Sequence, residues 1–194
     1  MTAQKVRKVV IVGGGTAGWV AAASVAKLLG KNLDISLVES DEIGTVGVGE
    51  ATIPTLITLH QLLKIDEREF MAAVQGTFKL GISFENWRDV GKDYIHSFGF
   101  TGKDCWAAGF VHFWLKARQQ GIKADFGEYC TELMAAKANK FAVFKPDGLN
   151  YAYHMDASLY AKFMRKIAEQ HGCKRIEGKK VEVGTRIISR KTHF

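Results

Sequence analysis

Two periods of hydrophobic and polar residues follow one another along this chain, and the switches between them mark its elements. Val9, Val10, Ile11 and Val12 form an unbroken β-branched run, which predicts a strand buried on both faces of a parallel sheet. The six residues Gly13-Gly14-Gly15-Thr16-Ala17-Gly18 follow, and then an alanine-rich stretch, Trp19 to Leu29, predicts a helix stopped at Gly30. Leu33 to Val38 predicts a second strand, ending in Glu39. The loop after it runs from Ser40 to Ile53, with Gly44, Gly47 and Gly49 set among Val46 and Val48. Pro54 suits the first turn of a helix reaching Lys64, and Asp66 with Glu69 makes a capping box that opens another, through Val74. Thr77 to Phe84 then alternates, with Phe78, Leu80, Ile82 and Phe84 on one face and Thr77, Lys79, Gly81 and Ser83 on the other. That predicts one half-exposed strand, with Tyr94 to Phe100 as its partner.

Phe110, Phe113 and Trp114 have helical spacing, with a stop at Gly121. With Trp106 they predict core packing, and substrate stacking is the alternative. A further helix is expected from Gly127 to Ala138. Asp156 is placed to cap a helix over Ala157 to His171, whose apolar stripe is Tyr160, Phe163, Met164 and Ile167 and which Gly172 closes. Arg175-Ile176 and Val181 to Val183 then predict short strands returning to the parallel sheet. Strand, helix, strand and a later helix–strand return make an α/β fold.

The glycines carry the first candidate chemistry. Gly13, Gly15 and Gly18 have the spacing GxGxxG between a strand and a helix, and Glu39 follows Gly18 by 21 positions. Gly13 permits a tight turn, Gly15 lets a pyrophosphate approach the backbone, and Gly18 lets the helix pack on the strand. The helix start offers N–H groups to phosphates, and Glu39 can accept from a ribose hydroxyl. In this order these elements predict binding of FAD or NAD. Lys79 is the second candidate, as either a solvated lysine on a half-exposed sheet or a functional amine.

Composition narrows the picture little. The chain has 194 residues, 47% apolar and 24% charged, as expected of an ordinary globular protein of one domain or slightly more. Residues 9–29 are its most apolar stretch, but three glycines and Lys27 fit a nucleotide-binding unit better than a membrane span. No basic leader with a cleavage site precedes them, so a cytoplasmic protein is expected. The net charge is +7, and Lys174 to Phe194 carries +5 of it, from seven basic residues and two acidic ones. Neither nucleic acid nor a membrane is therefore expected as a partner. The three cysteines are far apart and form no CxxC or Cys/His cluster, so no metal site is expected.

Four stretches resemble the flavin-dependent halogenases, the family of the tryptophan halogenases. They are Gly13-Gly-Gly-Thr-Ala-Gly-Trp19, Val46-Gly-Val-Gly-Glu-Ala-Thr-Ile-Pro54, Phe78-Lys-Leu-Gly-Ile-Ser-Phe84 with Trp87, and Tyr151-Ala-Tyr-His-Met-Asp156. The resemblance implies a Rossmann-like FAD-binding fold of the glutathione-reductase type, incomplete on its C-terminal side. Residues 1–183 would be part of the FAD-binding halogenase domain and 184–194 a divergent basic tail. Gly13, Gly14, Gly15, Thr16, Ala17, Gly18 and Glu39 would hold the ADP half of FAD. Val48, Glu50 and Ala51 would belong to a strap between flavin and substrate sites, and Lys79 would be the catalytic lysine. The family chemistry uses FADH2 from a separate flavin reductase, O2 and chloride or bromide. The hypohalous acid formed is directed by the lysine at an electron-rich aromatic such as tryptophan or indole. The family's Trp-x-Trp-x-Ile-Pro motif is absent, and by itself the chain is expected to bind FAD weakly and to turn over poorly or not at all. The alternatives are an FAD-dependent monooxygenase or other oxidoreductase, and a non-catalytic nucleotide-binding remnant.

Overall fold

The computed structural model describes residues 6–44, 50–143 and 148–179. In chain order its elements are β1 (Lys8–Val12), α1 (Thr16–Leu29), β2 (Asp34–Glu39), α2 (Thr55–Leu62), α3 (Glu67–Val74), β3 (Thr77–Lys79), β4 (Gly81–Glu85), β5 (Asp93–Ser97), α4 (Phe110–Gln119), α5 (Thr131–Lys137), β6 (Ala152–His154), α6 (Ala157–Gln170) and β7 (Lys174–Glu177). The chain divides into two compact units, residues 1–48 with 157–194, and residues 49–156.

The first unit is a parallel sheet of order β1-β2-β7 with α1 and α6 packed together. Val9 to Val12 pair with Ile35 to Val38, and Ser36 to Glu39 pair with Lys174 to Glu177. The core is Trp19, Ala22, Ala23 and Ala26 of α1, Ile35 and Leu37 of β2, and the predicted stripe Tyr160, Phe163, Met164 and Ile167 of α6. Small alanine side chains on one face of α1 let α6 approach closely, and each large side chain removed from water contributes about 1.5–3 kcal/mol. Gly172 takes φ +93° in the turn that leads into β7, a conformation glycine adopts without strain. The helix–strand return is thus as expected.

Burial of β1 on both faces is not found. It lies at the sheet edge, pairing with β2 alone among the described residues, and Val10 and Val12 are 60% and 54% exposed. An apolar run reports that a strand suits a buried sheet; it does not supply the neighbour that buries it. Val181 to Val183 lie outside the described residues.

The second unit holds α2 to α5 and two small antiparallel sheets, β3-β6 and β4-β5. The capping box forms as expected, with Asp66 Oδ1 accepting from the Glu69 N–H at 2.9 Å. Leu63, Phe70, Val74 and Tyr153 make its core. The single strand predicted over Thr77 to Phe84 is two strands in different sheets, parted at Leu80, whose carbonyl accepts from the Phe98 N–H at 2.9 Å. Burial inverts the expected faces there: Phe78 is 39% exposed and Lys79 only 8%. The pairing of β4 with β5 is as expected, with Phe84 stacked on Tyr94 at 5.0 Å.

The core-packing expectation fails for two of the four aromatics, since Trp106 is fully exposed and Phe113 half-exposed. Trp106 lies before α4; of the three aromatics at helical spacing, Phe110 and Trp114 are half-buried against Phe126, and no residue of that helix is fully buried. The helix expected from Gly127 begins only at Thr131, after a 3-10 turn over Phe126–Tyr129. Among the described residues, no helix is long and apolar enough to cross a membrane.

Candidate functional site

The glycine turn sits between β1 and α1. Gly13 has φ +111°, a left-handed conformation, and donates its N–H to the Val38 carbonyl at 2.9 Å. Gly18 packs so closely that a Cβ there would lie 1.9 Å from the Gly13 carbonyl oxygen. Gly15 differs from both, since a Cβ on it would meet nothing within 4 Å. It heads α1 in an extended conformation, with no side-chain cap and no acidic residue in the first turn. Thr16 and Ala17 form that first turn, and the Thr16 Oγ1 donates to the Ala157 carbonyl at 3.3 Å. The N–H groups at this helix start are thus free of a competing side-chain cap, facing open space above Gly15, as a dinucleotide pyrophosphate requires.

Glu39 reaches the same turn. Its Oε1 accepts from Arg175 Nε at 2.7 Å, with the Arg165 guanidinium 3.6 Å away, and its Oε2 accepts from Trp19 Nε1 at 3.1 Å. An ionised carboxylate offers about four acceptor sites, so Oε2 retains room for a ribose hydroxyl. The carboxylate lies against Gly14, where a Cβ would come 1.4 Å from Oε2. Gly14, an unconstrained position in the motif, is therefore fixed as glycine by Glu39. Trp19, Arg165 and Arg175 are supporting residues that the motif alone does not identify. Their partners Asp41 and Glu177, with Glu39 foremost, raise the Arg175 pKa and keep it charged.

Lys79 lies in the second unit, at the end of β3, paired with Ala152 of β6. Its Nζ donates to the Thr52 carbonyl at 3.1 Å and stands 5.4 Å from the centre of the Phe98 ring. Burial lowers the pKa of this amine from the ordinary lysine value. His154 is also lowered, by burial first and by the Lys79 charge second. Ala51 forms an isolated antiparallel bridge to His154, and the Glu50 carbonyl accepts from the Met155 N–H at 3.3 Å. Lys79 and Ala51 therefore flank β6 from opposite sides, with Glu50 hydrogen-bonded at its end, while Val48 lies outside the described residues. A solvated lysine on an open sheet is not what is found.

On and beside β6, Tyr151 and Tyr153 both donate their hydroxyls to Glu67 Oε1 at 2.7 Å. Burial, reinforced by the Glu67 carboxylate, pushes the Tyr151 phenol up to about 12 and raises Tyr153 as well. The buried Tyr153 hydroxyl ties β6 to α3, and a hydrogen bond to a charged group contributes about 2 kcal/mol. Tyr153→Phe should therefore lower unfolding stability by that amount, measured by urea denaturation; an unchanged midpoint would exclude a structural role for the hydroxyl. A cleft of about 690 Å³ in the same unit, lined by Tyr94, His96, Phe126 and Cys130 among others, does not include Lys79.

The family model for tryptophan halogenase matches residues 8–190 of this chain. The tryptophan 7-halogenase RebH of Lentzea aerocolonigenes is 36% identical over 193 residues, covering 89% of this chain and 36% of RebH. Among solved structures, Xcc4156, a flavin-dependent halogenase from Xanthomonas campestris, matches with a TM-score of 0.90 and 62% identity, over 96% of this chain and 38% of that one. BrvH, a flavin-dependent halogenase from Brevundimonas sp. BAL3, matches with a TM-score of 0.83 and 40% identity, over 94% of this chain and 37% of that one. The chain thus spans little more than a third of the length of these relatives.

Proposed function

The chain belongs to the tryptophan halogenase family, and we propose that it is the flavin-binding N-terminal part of an enzyme that halogenates an electron-rich aromatic ring. On this reading residues 1–183 belong to the FAD-binding domain and residues 184–194 are a divergent tail. Gly13, Gly14, Gly15, Thr16, Ala17, Gly18 and Glu39 hold the ADP half of FAD, and Val48, Glu50 and Ala51 belong to the strap. FADH2 supplied by a separate flavin reductase would, when bound, provide with O2 the oxidation of chloride or bromide to hypohalous acid.

The observation that carries this reading is the buried Lys79 amine, held on one carbonyl, with burial lowering its pKa from the ordinary lysine value. A neutral amine has the lone pair that takes halogen from hypohalous acid, forming an N–X bond and releasing water. Transfer of X to a ring carbon then returns the N–H as the ring loses its proton. Nothing in this requires Lys79 to be strongly basic, and burial suits it.

The first test is a titration of the purified chain with FAD, followed by flavin fluorescence. Saturable binding is expected, weakened at least about tenfold by Gly15→Val, because a side chain there fills the space left for phosphate. Since nothing packs on that position, the variant should stay folded, losing only about 1 kcal/mol for the poorer helix N-cap. Equal FAD affinity in the two proteins would remove the glycine turn from the cofactor site. Turnover by this chain alone is expected to be weak or absent. With a flavin reductase, a longer protein carrying these residues should give halogenated product; a hydroxylated one would favour a monooxygenase.

A further inference from the structure

Thr52 joins the strap to β6 through three hydrogen bonds with one residue. Its N–H donates to the Tyr153 carbonyl at 2.9 Å, its Oγ1 donates to the same carbonyl at 3.1 Å, and that Oγ1 accepts from the Tyr153 N–H at 2.9 Å. The hydroxyl stands in for the backbone acceptor that a neighbouring strand would offer, and without it the N–H of a buried residue loses its partner. The third polar group of Thr52, its carbonyl, accepts from Lys79 Nζ at 3.1 Å. Lys79 is itself registered on β6 through its pairing with Ala152. The amine and its acceptor are therefore both set against one short strand.

We propose that Thr52 is a positioning residue for Lys79: its hydroxyl locks the strap to β6 and so fixes the carbonyl that orients the lysine nitrogen. The proposal rests on the reading of Lys79 as the halogen-carrying amine, where misplacement by a fraction of an ångström slows transfer to a positioned ring. Among the described residues Thr52 is the one hydrogen-bond acceptor of this amine, and its other two N–H positions are uncommitted. The titratable neighbour is His154, on β6 across the β3–β6 pair. Among the described residues His154 makes no hydrogen bond to the Lys79 nitrogen, so the Thr52 carbonyl is the one hydrogen-bonding group that directs it, beside the Phe98 ring.

The test uses the full chain and two side chains that separate shape from hydrogen bonding. Thr52→Val keeps the shape and removes the hydroxyl; Thr52→Ser keeps the hydroxyl. Trace acetylation with acetic anhydride, read by mass spectrometry on the Lys79 peptide at high pH, reports how freely the neutral amine moves. Acetylation of Lys79 should rise about fivefold in the valine variant, as local opening becomes easier, and return to the parent rate in the serine variant. Parental labelling in a folded valine variant, or no recovery with serine, would overturn the proposal. Should the valine variant fail to fold, Lys79→Met gives the reciprocal measurement by amide hydrogen exchange. The Thr52 and Tyr153 amides should then exchange about fivefold faster, because coupling between two groups acts equally in both directions. Unchanged exchange would overturn it. Neither readout needs flavin or turnover, so the coupling and the halogenation reading can fail separately.

Discussion

Gly18→Ala is expected to unfold the nucleotide-binding unit at denaturant concentrations that leave Gly15→Ala folded. Two effects oppose each other at Gly18. Alanine inside a helix is favoured over glycine by about 1 kcal/mol. Its Cβ, however, would stand 1.9 Å from the Gly13 carbonyl oxygen, which is backbone and cannot swing aside. Relieving that contact means lifting α1 off the β1–α1 turn, and overpacking of this kind costs about 3 kcal/mol or more, so the clash wins. At Gly15 the added methyl meets nothing, and φ −68° with ψ 179° is ordinary for alanine. Replacing glycine by alanine at a helix N-cap costs about 1 kcal/mol or less, well below the cost of the clash at Gly18. Trp19 is buried in this unit and its fluorescence reports the transition. Coincident midpoints for the two variants would show that the close helix–strand approach is not required.

Acidification should destabilise the second unit through His60, beyond the loss common to any protein. His60 lies on α2, with its ring 4.5 Å from Phe70 edge-on and 6.2 Å from Tyr153 in a stack. Burial lowers its pKa from 6.5 to about 4, against a smaller upward pull from Glu67. The unfolded chain therefore binds the proton more readily than the folded one throughout that range. Stability is fully present above the unfolded value and falls as pH drops through the window toward 4. At about 1.4 kcal/mol per pKa unit, the loss approaches 3 kcal/mol. In His60→Phe this contribution is absent. The difference in unfolding free energy between the two proteins should then move by that amount from pH 7 to pH 4, whereas carboxylate titration cancels. Parallel pH profiles would show that the histidine is solvated or paired as a cation.

Where sequence and structure agree, the information was local. The α6 stripe and the Asp66 capping box each depend on residues within a turn or two of one another, and both form as expected. The β3–β4 break was hidden because alternation continues unbroken through Leu80 while the pairing partner changes from β6 to β5. Strand β6 has only three residues, too few to show a period. The exposure of Val10 and Val12 depends on which strands stand beside β1, and no local pattern encodes that. In the candidate site, the turn and close-packing roles of Gly13 and Gly18 follow from spacing. The contact of Glu39 with Gly14 arises from the pairing of β1 with β2, and the support of Glu39 by Arg175 comes from β7, more than a hundred residues away. Lys79 is a candidate from its place in the strand, and its catalytic role comes from resemblance to a family; its burial contradicts the face on which simple alternation places it.

The break at Leu80 also decides which changes to this region the site can tolerate. Lys79 ends one sheet, and Gly81 begins another, so the β4–β5 hairpin keeps a register of its own. One residue inserted before Lys79 would turn the amine toward solvent, because successive side chains of a strand point to opposite faces. The same insertion at the hairpin tip, near Asn86 to Lys92, would be absorbed by the turn. Lys79 and its carbonyl anchor thus form a fixed chassis, and the hairpin beyond them is an interchangeable part whose length and sequence can drift, or be grafted from a relative, without moving the nitrogen.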